Sequence, residues 1–389
     1  MKYRKLFGDE VSNLGFGCMR LPTIGEGKDI KINESEAIAQ IRHGIDLGIT
    51  YIDTAYPYHG GESELVVGKA LQDGYREKVK LVTKAPVWLY KKPEDFEKYL
   101  KEQLEKLQTD YVDAYLMHAL NGKRFDILQK YDILAQAKKA KEAGLIKNIG
   151  FSFHSNYKTF VKIIDSFDWD LCQIQMNYMD LNNQATEKGL KYAGEKGVPV
   201  IVMEPLLGGK LVRETEENKK ILEESKSKHS LAEWAFLFMW NYPEVKVTLS
   251  GMNTMQMIEE NCASADLSGV YSLSNEDMGT IGKLRESYKK MLYVHCTRCE
   301  YCMPCPHGVN IPFNLLLLNE LKWAPQDREK IGNWYKGFSQ TEEEALKTLN
   351  GASHLCAGVE ECGQCLKKCP QKINIPEKMK EISEIFNSP

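Results

Sequence analysis

The sequence predicts an α/β protein, a (β/α)8 TIM barrel followed by a smaller, mainly helical domain. Between residue 11 and about residue 265, eight short apolar strand-like runs alternate with longer amphipathic helical patterns. Strands separated by helices pair in parallel through right-handed crossovers, and eight such units close into a barrel. The chain of 389 residues is about a hundred residues longer than a barrel of ordinary size. We therefore expect a barrel over residues 1–285 and a second domain over residues 286–389.

The predicted strands are separated by patterns with helical periodicity. The strands cover residues 13–18, 50–55, 79–84, 111–118, 147–152, 172–177, 199–204 and 245–250. Between them, apolar residues such as Phe96, Leu100 and Leu104 recur every three or four positions, which is typical of a helix with one buried face. Gly48 and Gly144 precede strands at the usual position of a helix C-terminal cap. A doubly wound open sheet is the alternative, but no G-x-G-x-x-G follows the first strand.

Composition excludes several classes of protein. A hydrophobic content of 43% with 27% charged residues is ordinary for a globular chain. The formal net charge of -3 offers no general attraction for nucleic acid. No apolar run approaches the roughly 20 residues that span a bilayer, and the charged N-terminal segment lacks the apolar core of a signal peptide. We therefore expect a cytoplasmic protein that binds neither nucleic acid nor membrane.

Eight of the eleven cysteines form two runs in the second predicted domain. The runs are Cys296, Cys299, Cys302 and Cys305, followed by Pro306, and Cys356, Cys362, Cys365 and Cys369, followed by Pro370. This spacing is similar to the bacterial ferredoxin run C-x2-C-x2-C-x3-C-P. Disulfides are rare in the cytoplasm, so metal ligation is the favoured interpretation of these cysteines. The runs predict a ferredoxin-like domain with [4Fe-4S] clusters, and structural zinc is the alternative that C-x2-C pairs permit.

Ligand sharing in dicluster ferredoxins suggests how the cysteines divide. There, three cysteines of one run join the last cysteine of the other. By this pattern Cys296, Cys299, Cys302 and Cys369 hold one cluster, and Cys356, Cys362, Cys365 and Cys305 hold the second. The spacing departs from this pattern, with two residues instead of three before Cys305 and five instead of two after Cys356. The number of clusters, one or two, therefore stays open. The other three cysteines, Cys18, Cys172 and Cys262, are predicted to be buried apolar residues.

Ionisable residues stand at three predicted strand ends, where barrel enzymes carry their active sites. They are Asp53, with Tyr58 shortly after it, Lys84 and His118. A lysine in an apolar run is costly unless a carboxylate such as Asp53 neutralises it. That cation can stabilise the phenolate of Tyr58, whose ordinary pKa is about 10. We predict that Tyr58 is a general acid tuned by Lys84 and Asp53, and that His118 orients a substrate carbonyl or relays the proton.

These residues carry a resemblance to a known family. The segment DTAYPYHGGESE at residues 53–64, with Lys84 and His118 at the next two strand ends, resembles the aldo-keto reductase signature and its Asp-Tyr-Lys-His tetrad. LGFGCMRLP at residues 14–22 resembles that family's first strand and loop. The resemblance covers about residues 1–265 and implies NAD(P)H-dependent reduction of a carbonyl, or oxidation of the corresponding alcohol. The cysteine runs resemble the ferredoxin-type extension of an aldo-keto reductase subgroup.

The resemblance also implies a nicotinamide site at the remaining strand ends. Its residues would be Ser152, Gln175, Asn177, Gly208, Gly251, Asn253 and Asn261. Gly251 and Met257 stand where NADP-preferring members have Lys and Arg, so bidentate recognition of a 2′-phosphate is missing. The choice between NADH and NADPH therefore stays open. The substrate loops at residues 87–92, 120–124 and 206–213 contain no motif that names a compound.

One-electron clusters and two-electron hydride chemistry normally need a flavin between them, and the sequence has no flavin signature. The clusters are therefore structural, or they exchange electrons with a protein partner, or the barrel binds flavin. A non-catalytic electron-transfer subunit that docks a redox partner is a further alternative, and the intact tetrad argues against it.

Overall fold

The computed structural model describes residues 1–25, 30–296, 302–369 and 371–387. The chain divides into two compact units, Met1–Gly282 and Lys283–Pro389. The division falls close to residue 285, where the sequence analysis places the end of the barrel.

The first unit contains a closed barrel of eight parallel strands. Its strands in chain order are β1 (Tyr3–Leu6), β2 (Asp9–Ser12), β3 (Leu14–Gly17), β4 (Thr23–Ile24), β5 (Lys31–Ile32), β6 (Tyr51–Asp53), β7 (Lys80–Ala85), β8 (Ala114–Leu120), β9 (Ile149–Phe153), β10 (Leu171–Gln175), β11 (Val200–Met203) and β12 (Val245–Ser250). The barrel order is β10-β11-β12-β3-β6-β7-β8-β9. Two antiparallel hairpins, β1-β2 and β4-β5, lie outside it.

Helices connect the strands and form the second unit. The first unit has α1 (Glu34–Asp46), α2 (Ser63–Ala70), α3 (Asp95–Leu107), α4 (Gly122–Lys130), α5 (Ile133–Glu142), α6 (Tyr157–Ile164), α7 (Thr186–Glu195), α8 (Glu216–Glu224), α9 (Leu231–Trp240) and α10 (Met255–Asp266). Helix α11 (Asn275–Lys290) crosses the division between the units. The second unit has α12 (Ile311–Trp323), α13 (Arg328–Lys336), α14 (Glu342–Thr348), α15 (Gly358–Glu361), α16 (Gln364–Lys368) and α17 (Ile375–Asn387).

The predicted (β/α)8 barrel is confirmed, and the open-sheet alternative is excluded. Each of the eight predicted strands overlaps one barrel strand. Gly48 and Gly144 have φ of 102° and 77°, the left-handed conformation of a helix cap that glycine adopts without steric cost. In α3, Phe96, Leu100 and Leu104 are buried, as their spacing predicts.

One end of the barrel is closed, and the other end is left for the candidate site. Leu6 and Val11 of the β1-β2 hairpin belong to one buried cluster with residues such as Tyr51, Ala114 and Leu171, each at or near the start of its strand. The hairpin therefore closes the amino ends of the barrel strands. The predicted strand-end residues lie at the opposite edge, where the barrel strands have their carboxyl ends.

The second unit has its own apolar core, built from helices. Leu315, Leu318, Tyr335, Met379 and Ile382 are among its most buried residues. The mainly helical character matches the sequence prediction. In the described residues, no helix is long and apolar enough to cross a membrane.

Candidate active site

The ammonium group of Lys84 is the centre of the candidate site. Its Nζ lies 2.6 Å from Asp53 Oδ1, 2.8 Å from the carbonyl oxygen of Thr54 and 3.1 Å from the phenol oxygen of Tyr58. These three contacts match the three donors of an ammonium group. Lys84 is 1% exposed and Asp53 is 2% exposed. Three residues of the predicted tetrad therefore form one hydrogen-bonded cluster.

A tight turn after β6 positions Tyr58. The backbone N–H of Tyr58 donates to the carbonyl of Ala55 over 3.1 Å, and the following His59 has a φ of 52°. His59 Nε2 accepts a hydrogen bond of 3.2 Å from the backbone N–H of Leu21. These contacts fold the loop back, so that the phenol of Tyr58 meets the Lys84 side chain from the next strand.

Burial and the nearby Lys84 cation shift the pKa of Tyr58 in opposite directions. Desolvation raises the pKa of Tyr58 above its ordinary value, and Lys84 only partly offsets this rise. Sequence reasoning considered the cation alone and missed the larger effect. For Lys84, burial alone would lower the pKa, but Asp53 and Tyr58 outweigh it and raise the pKa. At neutral pH the site therefore holds a protonated phenol beside an ammonium group.

His118 lies at an irregular end of β8. Ala119 has a φ of 52°, and the pairing of β8 with β9 shifts register between Met117 and Leu120. Such irregularities redirect side chains beside active sites. The His118 ring centroid is 6.0 Å from that of Tyr58. Desolvation, aided by nearby cations, lowers the pKa of His118 well below its ordinary value, so its imidazole is neutral at neutral pH.

Two residues that sequence reasoning did not single out extend this cluster. The Trp88 ring centroid is 5.3 Å from that of His118. The Arg124 guanidinium carbon lies 4.9 Å from the centroid of the Trp88 ring. Both residues belong to the predicted substrate loops, 87–92 and 120–124, so their position in the chain was the available signal.

The strand-end residues predicted to bind nucleotide already have protein partners. Ser152 Oγ accepts a 2.7 Å hydrogen bond from the backbone N–H of Ala119. Gln175 Oε1 accepts from Gln184 Nε2 over 2.7 Å. Asn177 is buried; its Oδ1 accepts from two backbone N–H groups, those of Met179 and Asp180, and its Nδ2 donates to the carbonyl of Glu204. Asn177 therefore builds the loop after β10.

Arg20 lies across the two loops predicted to hold the phosphates. Added Cβ atoms at Gly208 and Gly251 would lie 3.1 Å from Arg20 Nη2 and 3.0 Å from Arg20 Cδ, respectively. Its guanidinium contacts Glu204 at 3.4 Å. Arg20 was part of the quoted motif LGFGCMRLP, but no role was predicted for it. A glycine at each loop position leaves room for the Arg20 side chain.

Of the other two predicted nucleotide residues, Asn253 precedes α10 and Asn261 lies within it. The carbonyl of Asn253 accepts from Gln40 Nε2 over 3.1 Å. Asn261 Nδ2 donates to Ser250 Oγ over 3.2 Å and ties the helix to the end of β12. Asn253 therefore lies in the predicted loop and remains exposed, whereas Asn261 belongs to the helix that follows the loop.

Residues 13–286 match the model of the family described as "Aldo/keto reductase family". The chain belongs to this family. Its barrel is thus an aldo/keto reductase barrel, and the protein is an oxidoreductase enzyme.

Individual aldo/keto reductases support the same conclusion. L-galactose dehydrogenase of Arabidopsis thaliana is 26% identical over 307 residues, which cover 74% of this chain and 94% of the relative. The holo form of aldo-keto reductase AKR11C1 from Bacillus halodurans is 27% identical, with a TM-score of 0.60, over 73% of this chain and 96% of that one. A Klebsiella pneumoniae aldo-keto reductase solved with NADPH is 22% identical, covers the same shares and has a TM-score of 0.61, which shows the fold alone.

The cysteine runs lie beyond the aldo/keto reductase match. Five of their cysteines line one cavity of the second unit: Cys302, Cys305, Cys356, Cys362 and Cys365. Four of these five are the residues predicted to share the second cluster. In the described residues, no three His, Cys, Asp or Glu side chains are close enough together to hold a single metal ion.

The ligands predicted for the first cluster are only partly described. Cys296, Cys302 and Cys369 pack against the apolar core of the second unit. Cys299 lies outside the described residues. The three cysteines outside the runs, Cys18, Cys172 and Cys262, are buried free thiols, which confirms that prediction.

Proposed function

We propose that the barrel reduces a carbonyl group, or oxidises the corresponding alcohol, with a nicotinamide cofactor. The observation that carries this proposal is the contact of Lys84 Nζ with both Asp53 Oδ1 and Tyr58 Oη. It joins a proton donor, a cation and a buried counter-ion at the carboxyl edge of the barrel. This assembled cluster favours catalysis over a non-catalytic electron-transfer subunit.

Each residue has a distinct role in the proposed reaction. The phenol of Tyr58 donates its proton to the substrate oxygen as negative charge develops there. Lys84 stabilises the phenolate that forms, and Asp53 holds the ammonium in place. Neutral His118 orients the carbonyl by a hydrogen bond. A bound nicotinamide would supply or accept the hydride.

The residues of the strand-end loops are compatible with a dinucleotide. Gly208 and Gly251 are exposed, and the Arg20 side chain packs against both, with its guanidinium beside Gly208. We propose that Arg20, Gly208, Gly251, Asn253 and Asn261 surround the phosphates, and that Ser152, Gln175 and Asn177 form the nicotinamide end. Arg20 is already paired with Glu204, so the carboxylate weakens the attraction of its guanidinium for a phosphate.

The choice between NADH and NADPH follows from the absence of Lys and Arg at positions 251 and 257. Because Gly251 and Met257 replace Lys and Arg, we expect NADH to bind at least as well as NADPH. Fluorescence titrations with both nucleotides measure this preference. A strong preference for NADPH would show that the 2′-phosphate site lies elsewhere, and a loss of that preference in Arg20→Met would locate it.

The pH dependence follows from the shifted pKa values. Reduction requires the protonated phenol, and because burial raises the pKa of Tyr58, kcat/KM for a neutral aldehyde should fall only in alkaline solution. The pKa of His118 is well below its ordinary value, so no change near pH 6.5 should come from this residue. A pH profile of the wild type and of His118→Gln tests this. A step near pH 6.5 that disappears in the variant would contradict the neutral imidazole.

For the second unit we propose a ferredoxin-like domain that binds [4Fe-4S] clusters. Cys305, Cys356, Cys362 and Cys365 around one cavity support this proposal. In a four-iron cluster each thiolate binds a different iron, so the four sulfurs need not meet at one point. Structural zinc would need four sulfurs about 2.3 Å from a single ion, and a measurement of metal and acid-labile sulfide distinguishes it from a cluster. The clusters would carry electrons to a protein partner or stabilise the domain.

The first experiment is to identify what the protein carries and what it reduces. Anaerobically purified protein should show the broad absorption of iron-sulfur clusters, and mass spectrometry of the released cofactor should find a nicotinamide dinucleotide. Oxidation of NADH or NADPH at 340 nm with a panel of aldehydes then measures the reaction. Released flavin together with no aldehyde-dependent oxidation would contradict the proposed reaction and favour a flavin in the barrel.

A further inference from the structure

Arg124 is held at the mouth of the candidate site by its own helix. The side chain of Asn121 caps α4 and accepts from the backbone N–H of Arg124 over 2.9 Å. From this first turn the guanidinium folds back, and its Nη1 donates to the carbonyl of Ala119 over 2.8 Å. Its carbon lies 4.9 Å from the centroid of Trp88, whose ring contacts His118. Tyr58, His118, Trp88 and Arg124 therefore form one continuous series of contacts.

This guanidinium has no acidic partner within the part of the chain that the structure describes. No Asp or Glu oxygen of those residues lies within 4.0 Å of it, and the Ala119 carbonyl is the acceptor that its side chain uses. Burial lowers the pKa of Arg124, which reflects the cost of its partial desolvation. A guanidinium has five N–H donors, so most of them stay available to a ligand.

The neighbouring charges are positive or neutral. The Lys84 ammonium acts on His118, and its carboxylate partner Asp53 lies buried against it. Desolvation is the largest cause that lowers the pKa of His118 and of the partly exposed His154, and the charge of Arg124 adds to both shifts. The mouth of the site therefore has a positive potential, which an anion would relieve.

The position of Arg124 separates it from the proposed phosphate loops. It follows β8, whereas one of those loops follows β12. In the closed barrel, β3, β6 and β7 separate these two strands on one side, and β9, β10 and β11 separate them on the other. Arg124 is thus across the barrel from the β12 loop and beside the residues that would receive the carbonyl.

We propose that Arg124 binds an anionic group of the substrate, so that the substrate class is a carbonyl compound bearing a carboxylate. This inference rests on the proposed reductase activity and specifies its substrate. The planar guanidinium would bind the carboxylate through paired N–H donors. The Trp88 ring, stacked beneath the guanidinium, would hold it in that orientation and pack against the carbon chain of the substrate.

Three matched pairs of aldehydes test the proposal: glyoxylate and glyoxylamide, 4-oxobutanoate and 4-oxobutanamide, and 4-carboxybenzaldehyde and 4-formylbenzamide. The measured quantity is the ratio of kcat/KM for acid over amide in each pair. In the wild type we expect a ratio of about 10 to 100 in at least one pair, the effect of a hydrogen bond to a charged group. Arg124→Met should bring this ratio close to one, and Arg124→Lys should give an intermediate value because it keeps the charge without the fork.

Lys123→Met is the matched control, since Lys123 is an exposed cation in the same helical turn. It should keep the wild-type ratio. Reduction of the amides by Arg124→Met shows that this variant is folded. Equal rates for acids and amides in the wild type, or a ratio that survives in Arg124→Met, would overturn the inference and leave the reductase proposal intact. If the wild type reduces none of the six compounds, the reductase proposal fails and the inference fails with it.

Discussion

Replacing Tyr58 by phenylalanine is expected to lower kcat for carbonyl reduction by about 10²- to 10⁴-fold, the usual contribution of general acid catalysis. The phenol is the proton donor that contacts the Lys84 ammonium, at 3.1 Å, and phenylalanine keeps the ring while removing the proton. Binding of the nicotinamide should remain nearly intact. Steady-state kinetics with a neutral aldehyde and a nucleotide titration measure the two effects separately.

Tyr56→Phe is the matched control, because it removes a phenol from the same loop. Tyr56 packs edge-on against Tyr99 rather than against the Lys84 cluster. Its loss should leave turnover within a few fold of the wild type. Lys84→Met is a poorer test, since it would leave the buried Asp53 carboxylate unpaired, which costs about 3–5 kcal/mol of stability. Turnover near the wild-type rate in Tyr58→Phe would remove the tetrad interpretation.

The second large effect is expected in the iron content. Anaerobically isolated protein should contain about eight iron atoms and about eight acid-labile sulfides per chain, as in two four-iron clusters. Cys362→Ser should remove about half of both, because Cys362 lines the cavity shared with Cys305, Cys356 and Cys365. Cys299→Ser should remove the other half. Metal binding and folding are coupled in small metal domains, so either variant can lose more if the domain unfolds.

Cys262→Ala is the control for cysteine loss, because Cys262 lies in α10 of the barrel unit, outside both runs. It should retain all of the iron and sulfide. The barrel is a separate compact unit, so Cys362→Ser should keep its nicotinamide binding. Zinc without sulfide would refute the cluster proposal. Four irons in the wild type would show that the irregular second run or Cys305 does not complete a site.

Local sequence patterns were sufficient for the barrel and for its candidate catalytic residues. Apolar runs, helical periodicity and capping glycines depend on neighbours a few residues away, and eight repeats of strand and helix have few ways to fold. Asp53, Lys84 and His118 could be placed together because the carboxyl ends of parallel barrel strands meet at one edge. The contacts of Lys84 with Asp53 and Tyr58 agree with that reasoning.

The tertiary structure decided the properties that depend on neighbours from distant segments. Arg20 reaches the loops of Gly208 and Gly251, and Arg124 reaches Trp88, only because the barrel closes. Burial, which no local pattern specifies, sets the direction of the Tyr58 pKa. The sequence by itself thus determined the barrel fold and the kinds of chemical groups, because these follow from short-range patterns. Their partners, solvent exposure and charge balance required the packed structure, because they are set by contacts between residues far apart in the chain.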